Sequence, residues 1–188
     1  MTWYVALLRG INVGGNRKVP MADLRSAMEE LGAGDVRTYI QSGNVLFDGG
    51  RRSEASWIKR IEAAVSERFA HEARIVLRSH AELRRTVTDV PSGFGAHPDE
   101  YRSDVLFLRG PTTPRDLVAK LKPRDGVDRV AAGPGVVYFE RLTARATQSA
   151  LPKVIGTPVY QEMTIRNWRT TTTLLSMLDE ADARSDRQ

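Results

Sequence analysis

Two stretches of the sequence decide the fold: WYVALLRG at residues 3–10 and DVLFLRG at residues 104–110. Each is a short β-prone run whose apolar part begins with valine, Val5 or Val105, and each ends in Leu-Arg-Gly. Apolar residues occupy both alternating sets of positions, a pattern typical of strands that are buried on both faces. We therefore predict two equivalent strands, one in each half of the chain, with both faces covered.

The segments after these two strands repeat in the same order. A helix start led by proline comes first, at Pro20 and at Pro114, and proline suits the first turn of a helix. Two strands around a glycine-containing turn follow, at residues 36–48 and 127–140. Within them VLFD of the first half corresponds to VYFE of the second. The matching order indicates an internal duplication.

Each half then continues with a helix, a strand and a further helix. In the first half the apolar spacing predicts a helix over 55–69, a strand over 74–77 and a capped helix from residue 79. In the second half the corresponding segments are predicted at 142–155, 158–163 and 167–178. Proline weakens the first of these three.

The order β-α-β-β-α-β, taken twice, is that of the ferredoxin-like fold. The predicted fold class is α+β, with two tandem ferredoxin-like subdomains, antiparallel sheets and additional helices. The first subdomain is expected to span residues 1–90, and the second, with its C-terminal helix, residues 104–188. A connecting loop rich in proline and glycine would join them over 91–103.

Composition narrows the class of protein. The 188 residues are 41% hydrophobic and include no cysteine. The lack of cysteine excludes disulfides, zinc-thiolate sites and cysteine nucleophiles, and it fits a reducing compartment. No apolar run reaches the roughly 20 residues of a membrane helix, and the first residues lack a signal-peptide pattern. We therefore expect a cytoplasmic protein with no membrane partner and no cofactor.

The basic charge has two explanations that the sequence leaves open. The formal net charge of +5 favours a polyanionic partner, such as a nucleotide or nucleic acid. The 28 basic residues are, however, 23 arginines and 5 lysines, a bias that a GC-rich genome also produces. The charges are spread along the chain and form no polybasic arm.

The loop after the first strand, RGINVGGNRK at residues 9–18, is the first candidate site. Glycines allow close backbone approach and expose N–H groups, while arginine and lysine add positive charge. Neither G-x-G-x-x-G nor the G-K-[ST] ending of a phosphate loop is present. A glycine-rich connection with a purely geometric role remains the alternative. The candidate ligand-binding residues are Arg9, Gly10, Asn12, Gly14, Gly15 and Lys18.

Two further segments complete the candidate set. The turn QSGN at residues 41–44 offers Ser42 and Asn44 as directional donors and acceptors, although it also fits an ordinary hairpin turn. At the start of the last helix, Arg166 is a candidate anion contact and Asn167 a helix cap. Trp168 belongs to the same candidate set, with a position in the core as the favoured alternative.

Catalytic and metal-binding signals are sparse. The three histidines, His71, His80 and His97, lack metal-ligand spacing and are expected on the solvated surface. Ser42 has no base beside it in sequence. Asp23 and Asp116 occupy first helical turns, where the helix dipole explains them. The sequence therefore predicts no metal site, names no catalytic residue and leaves open whether the protein is an enzyme.

Three ordered motifs resemble a known family: LLRGINVGGNRKVPMADL at 7–24, VRTYIQSGNVLF at 36–47 and TIRNWRTTTTLLSML at 164–178. Together they are similar to the bacterial domain-of-unknown-function family 1697 over essentially the whole chain. The resemblance implies a cytosolic α+β protein of two ferredoxin-like subdomains. It implies no established activity.

Three functions are consistent with these residues. The leading hypothesis is an uncharacterised cytosolic protein that binds a phosphate- or carboxylate-bearing ligand, a nucleotide or nucleic acid, through the glycine-rich loop and arginines. The first alternative is a small-molecule enzyme with a pocket at the same loops. The second is an interaction protein whose motifs fix the junction of the subdomains. The sequence specifies neither the ligand nor the oligomeric state.

Overall fold

A computed structural model of the protein describes residues 2–9, 11, 19–70 and 72–185. In these ranges the chain is α+β, with two four-stranded antiparallel sheets and several helices. It divides into two compact units. The first comprises Met1–Leu83 and Leu174–Gln188, and the second comprises Arg84–Thr173.

The first unit is built around the first strand of the chain. Its elements are β1 (Trp3–Leu8), α1 (Met21–Glu30), β2 (Gly34–Tyr39), β3 (Asn44–Asp48), α2 (Glu54–Phe69) and β4 (Ile75–Ser79), followed by α3 (His80–Thr88). The strand order is β2-β3-β1-β4, so β1 is hydrogen-bonded on both edges. All its pairings are antiparallel.

The second unit has the same strand order, β6-β7-β5-β8, and again every pairing is antiparallel. Its regular elements are β5 (Tyr101–Leu108), α4 (Pro114–Leu121), β6 (Asp128–Gly133), β7 (Val136–Leu142) and β8 (Met163–Asn167). The last helix, α5 (Trp168–Ser185), begins in this unit, and its residues from Leu174 onwards belong to the first unit. Three short 3-10 segments, Thr143–Gln148, Leu151–Val154 and Pro158–Glu162, connect β7 to β8. Strand β5 begins at Tyr101, three residues before its predicted start.

The central strands are buried as their sequences predict. All six residues of β1 are buried, and Val5 and Leu7 are as inaccessible as Ala6 and Leu8. In β5 the residues from Asp104 to Leu108 are likewise buried. Because successive side chains of a strand point to opposite faces, both faces of each central strand are covered.

The helix α2 supplies much of the core of the first unit. Its apolar stripe buries Trp57, Ile61 and Val65. These residues recur every four positions and so lie on one helix face. The Trp57 ring meets the Phe47 ring edge-on, with centroids 4.9 Å apart. The N-cap Ser53 accepts a hydrogen bond from the Ser56 backbone, which fixes where the helix begins.

The predictions for the segment after β7 are wrong in detail. The expected helix over 142–155 is replaced by two 3-10 segments, and the expected strand over 158–163 is a third. Pro152 and Pro158 each stand at the start of a 3-10 segment, where the missing N–H is tolerated, whereas in a continuous helix each would interrupt the hydrogen bonds. The strand instead runs over Met163–Asn167.

Candidate functional site

The end of β1 is held on both sides by backbone hydrogen bonds. The Leu8 N–H donates to the Gly43 carbonyl at 2.8 Å, and the Arg9 N–H donates to the Arg74 carbonyl at 2.9 Å. The first bond joins the strand to the turn between β2 and β3, and the second joins it to the residue before β4. Arg9 is half-buried. The predicted glycine-rich loop therefore starts from a fixed backbone position.

The turn between β2 and β3 lies directly against the start of that loop. Gly43 has φ of +73°, and a Cβ atom there would lie 2.5 Å from Ile11 Cδ1 and 2.8 Å from Leu8 Cβ. Such distances are far below van der Waals contact, so the position accepts only glycine without rearrangement. Two sequence motifs that are about thirty residues apart thus meet in the first unit.

Ile40, at the start of this turn, has an unusual backbone conformation. Its φ is +48°, and its side chain is 49% exposed. A β-branched residue in the left-handed region is strained, because Cβ crowds the carbonyl oxygen, and it costs on the order of 1–3 kcal/mol. The turn therefore carries both an exposed apolar side chain and stored backbone strain.

Asn44 serves the turn itself. It is fully buried, and its Nδ2 donates to the Tyr39 carbonyl at 2.9 Å and to Ser42 Oγ at 3.0 Å. Ser42 is half-buried and Gln41 is exposed. The Asn44 amide therefore fixes the turn, while the side chains of Gln41 and Ser42 lie nearer to solvent.

The structure thus brings Arg9, Ser42 and Asn44 into one region of the first unit. The other candidates of the glycine-rich loop, Gly10, Asn12, Gly14, Gly15 and Lys18, lie outside the described residues.

Arg166 belongs to the second unit and is buried, with 7% of its surface exposed. Its Nη1 donates to Thr164 Oγ1 and to the Ile165 carbonyl, each at 2.8 Å. Burial lowers the pKa of the Arg166 guanidinium to about 10, because removal from water disfavours the charged form. These contacts give Arg166 a role in strand β8, and its burial limits its access to a dissolved anion.

Asn167 and Trp168 organise the start of α5. Asn167 Oδ1 accepts a hydrogen bond from the Thr170 N–H at 2.7 Å, which confirms the predicted helix cap. The Trp168 ring meets the Phe94 ring edge-on, with centroids 5.3 Å apart. Gly95 packs so closely on the indole that it has no room for a Cβ atom. The half-buried Trp168 is therefore a packing residue within the second unit.

The predicted surface position of the histidines is wrong for His80. Its side chain is only 12% exposed, and Nε2 lies 2.6 Å from Asp179 Oδ1 while Nδ1 lies 3.5 Å from Asp182 Oδ2. His80 therefore links α3 to the part of α5 that belongs to the first unit. His97 is exposed, and His71 lies outside the described residues.

The predicted structural role of Asp116 agrees with its contacts. The Asp116 N–H donates to Thr113 Oγ1 at 3.2 Å and the Thr113 N–H donates to Asp116 Oδ2 at 3.4 Å, which together form a capping box. Thr113 Oγ1 also donates to Asp116 Oδ2, at 2.7 Å. The hydrogen bond from Thr113 lowers the pKa of the Asp116 carboxyl group.

Two features that would assign the protein to a broad class are missing from the described part of the chain. Across residues 2–9, 11, 19–70 and 72–185, no group of three or more histidine or acidic side chains could hold a metal ion. Over the same residues, no helix is both long enough and apolar enough to cross a membrane.

A cleft in the second unit was not predicted from the sequence. It has a volume of about 570 Å³. One wall is the C-terminal end of α4 with the loop after it, and the other is formed by residues of the three 3-10 segments and of the links between them. The only sequence signal was the proline-broken helix pattern over 142–155, which marks a weakened cover without locating a cavity. The lining residues are Leu117, Lys120, Leu121, Lys122, Pro123, Arg124, Gln148, Ala150, Lys153, Val154, Thr157 and Val159.

Comparisons with known proteins agree with this architecture. The chain is similar to the solved structure of conserved bacterial protein SP0830 from Streptococcus pneumoniae, with a TM-score of 0.82 and 27% sequence identity. The similarity covers 94% of this chain and 98% of that one. No curated protein matches the sequence. The model of the family DUF1697, described as a protein of unknown function, matches residues 1–138, and the chain therefore belongs to that family.

Proposed function

We propose that the protein binds a phosphate- or carboxylate-bearing ligand at the end of β1, with a nucleotide or nucleic acid as the ligand class. The observation that carries this proposal is the contact between two motifs, in which the turn at Gly43 packs on Leu8 and Ile11. This contact brings the hydroxyl-bearing turn beside the start of the glycine-rich segment.

The residue types suit an oxyanion. Backbone N–H groups of Gly10, Gly14 and Gly15 would donate to phosphate oxygens, and Arg9 and Lys18 would supply charge. Asn12 and Ser42 would add directional hydrogen bonds. Asn44 would act by holding the turn, since its amide is engaged there.

Backbone strain at Ile40 also supports a functional turn. Strained residues persist where the surrounding structure requires them, and they concentrate at ligand sites. Ile40 pairs this strain with an exposed apolar side chain, which would suit the flat face of a nucleobase. The second unit contains the remaining candidates, Arg166, Asn167 and Trp168. Their role as ligand contacts stays a prediction.

Binding at low salt tests the proposal directly. The probes are inorganic phosphate, ATP and a single-stranded RNA oligonucleotide, measured by calorimetry in about 50 mM salt, where phosphate contacts are strongest. Arg9→Ala is expected to weaken ATP or RNA binding by about tenfold, as for the loss of one charged hydrogen bond. Arg51→Ala, an exposed arginine outside the turn, is the matched control and should bind as the wild type does.

Either of two results would overturn the proposal. One is the lack of any binding of the three probes at low salt. The other is an equal loss of affinity in the Arg9 and Arg51 variants, which would indicate a general charge effect.

The second candidate function is an interaction protein whose motif residues serve the fold. The burial of Asn44 and Arg166 favours it, because both side chains make hydrogen bonds within the protein. It predicts that Asn44→Ala and Arg166→Met change thermal stability and leave the binding of any probe unchanged. Normal stability combined with lost ATP binding would contradict it.

We also propose that the two sheets are copies of one ferredoxin-like plan. The shared strand orders and the two Leu-Arg-Gly strand ends support the duplication. On this proposal the subdomains span 1–90 and 104–188 and are joined by 91–103. The absence of cysteine fits the proposed cytoplasmic location.

A further inference from the structure

The cleft of the second unit arises where a long helix is missing. In the first unit the connection from β3 to β4 is the 16-residue α2, whose stripe buries three large side chains. In the second unit the same connection, from β7 to β8, is three 3-10 segments that bury only Leu151 among their own residues. The short segments cover α4 incompletely, and a space of about 570 Å³ remains beside that helix.

The floor of this cleft is apolar. Leu117 and Leu121 contribute from α4, and Val154 and Val159 contribute from the opposite wall. Leu117 and Leu121 are one helical turn apart and so lie on the same face. The volume lies in the range of pockets that hold small organic ligands. A hydrocarbon or aromatic body would therefore fit this space and remove its walls from water.

The rim of the cleft is cationic. Lys120, Lys122, Arg124 and Lys153 line it, and none of the twelve lining residues is acidic. Only five of the 188 residues are lysines, and three of them are at this cleft. A compositional bias towards arginine does not explain this concentration of lysine. The arrangement is complementary to a negatively charged group at the mouth.

Three of these cations are available to a ligand. Within the described part of the chain, the side chains of Lys122, Arg124 and Lys153 form no ion pair. Lys122 has φ of +47° directly after α4, a position that favours glycine.

The two walls are joined by one carboxylate. Asp128 Oδ2 accepts hydrogen bonds from the Arg124 N–H and from the Ala150 N–H, both at 2.9 Å. The Asp128 N–H in turn donates to the Arg124 carbonyl at 2.8 Å. These bonds fix the loop after α4 relative to the 3-10 segments, so the cleft is formed before any ligand arrives.

We propose that this cleft binds an amphipathic oxyanion, with its apolar body on the leucine and valine floor and its carboxylate or phosphate at the lysine-rich rim. The proposal goes beyond the ligand site at the end of β1. It concerns the other unit, shares no residue with that site and would stand if that site did not exist.

Paired probes separate the two parts of the ligand. Decanoate and octyl phosphate carry both parts, octanol carries only the apolar body, and acetate and inorganic phosphate carry only the head group. Calorimetric titrations below the critical micelle concentrations should show saturable 1:1 binding of decanoate or octyl phosphate. The comparison of these two identifies which head group the rim prefers. Octanol and the bare anions should bind at least about tenfold more weakly, because each lacks one of the two contacts.

A matched pair of charge-reversal variants locates the site. The double variant K122E/K153E places two negative charges at the rim, and it should weaken binding by more than about tenfold. The control is R115E/R169E, which makes the same change at exposed arginines in the first turns of α4 and α5 that do not line the cleft. The control should bind within about twofold of the wild type, since screened charges outside the site contribute little. Val154→Trp, which fills the cleft without changing charge, should also abolish binding.

Four results would overturn the proposal: no binding of either amphipathic probe, octanol binding as tightly as decanoate, equal losses in the two double variants, or unchanged binding by Val154→Trp.

Circular dichroism and thermal melting establish that each variant is folded. If K122E/K153E misfolds, K122Q/K153Q replaces it, and this variant is also expected to weaken binding. If the wild type dimerises and K122E/K153E is a monomer, the occupant is a second copy and the proposal fails. Arg9→Ala should leave decanoate binding unchanged, so this test fails or succeeds separately from that of the β1 site.

Discussion

The ends of the two central strands, β1 and β5, can be compared bond by bond. Leu8 donates its N–H to the Gly43 carbonyl at 2.8 Å, and Leu108 donates to the Gly135 carbonyl at 3.2 Å. Each acceptor is a glycine in the hairpin turn of its own unit, and the two glycines have φ of +73° and +71°. The sequence repeat Leu-Arg-Gly thus corresponds to a repeated backbone connection.

The following residue repeats the correspondence on the other edge. The Arg9 N–H donates to the Arg74 carbonyl at 2.9 Å, and the Arg109 N–H donates to the Glu162 carbonyl at 2.7 Å. Each acceptor immediately precedes the last strand of its sheet. These bonds depend on the backbone alone, so the arginine side chains are not required for them.

The units differ in what covers these similar sheets. In the first unit the sheet is covered by a 16-residue helix with a buried tryptophan. In the second unit three 3-10 segments take the place of this helix and leave a cleft. Because strand pairing depends on backbone hydrogen bonds, the sheet tolerates both covers. The difference shows that a weakened cover can create a cavity without a change in strand order.

The largest expected effect comes from removing the tryptophan of the helical cover. Trp57 is 1% exposed, and its Nε1 donates to the Gly49 carbonyl at 3.1 Å. Trp57→Ala should lower the free energy of unfolding by about 3–5 kcal/mol, since it leaves a cavity and an unpaired carbonyl. Urea denaturation measures the loss.

The matched variant in the other cover is Leu151→Ala. Leu151 is 3% exposed, but the adjacent cleft lets the surroundings relax. We expect a loss of about 2 kcal/mol, at the low end for a buried leucine. A loss as large as that of Trp57→Ala would show that the two covers contribute equally.

The next effect concerns the hairpin turn of the first unit. Gly43→Ala adds a Cβ atom 2.5 Å from Ile11 Cδ1 at a positive φ, so it combines a clash with backbone strain. The expected loss is about 2–3 kcal/mol in the free energy of unfolding. Gly32→Ala is the control, because its φ is +83° and no atom lies within 4 Å of the added Cβ. That variant should lose about 1 kcal/mol from strain alone, and equal losses would exclude the clash.

A smaller effect is expected at Tyr138, which corresponds to Leu46 in the repeated VLFD and VYFE segments. Tyr138 Oη donates to the Thr86 carbonyl at 2.7 Å, and burial raises the pKa of the phenol to about 12. Tyr138→Phe should cost about 1 kcal/mol of stability at neutral pH.

The pH dependence gives a second measurement on the same residue. The unfolded phenol ionises near pH 10, below its folded pKa of about 12, so the unfolded state loses its proton first. The stability from Tyr138 is therefore complete below about pH 10 and is lost as the pH rises towards 12. Tyr138→Phe should flatten this part of the stability profile, and an unchanged profile would contradict the assignment.

The smallest expected loss of stability concerns the N-termini of α1 and α4, the helices that follow β1 and β5. Helix α4 has a capping box from Thr113, whereas α1 begins after Pro20 with no side-chain cap. Thr113→Ala should cost about 1 kcal/mol in the free energy of unfolding. Pro20→Ala removes no side-chain cap and should cost less, as thermal melting can show. The reverse order would indicate that the cap of α4 is not the stabilising feature.

Local sequence signals account for the parts of the fold that were predicted. The apolar runs identified β1 and β5, because strands that are buried on both faces consist largely of apolar residues. The prolines at residues 20 and 114 identified the helix starts, and glycine-containing turns identified both hairpins. Each of these signals depends only on residues that are neighbours in the chain, so it can be recognised in the sequence without knowledge of distant contacts.

Features that depend on distant contacts were not accessible in this way. His80 is held by Asp179, which is 99 positions later in the chain, and no local pattern connects them. The role of Asn44 within the turn was not predicted, because an amide in a turn looks the same in sequence whether it faces solvent or the backbone. The cleft beside α4 depends on how 3-10 segments pack, which their composition does not specify.

The path of the chain has a mechanical consequence. The first unit contains the described residues up to Leu83 and those from Leu174 to Ser185, and the chain between them forms the second unit. Tension applied between β1 and the end of α5 would therefore be carried by contacts of the first unit, such as that between His80 and Asp179. The residues from 84 to 173 would bear no load until the C-terminal segment detached. In a pulling experiment they would form a shielded loop that extends only in a second step.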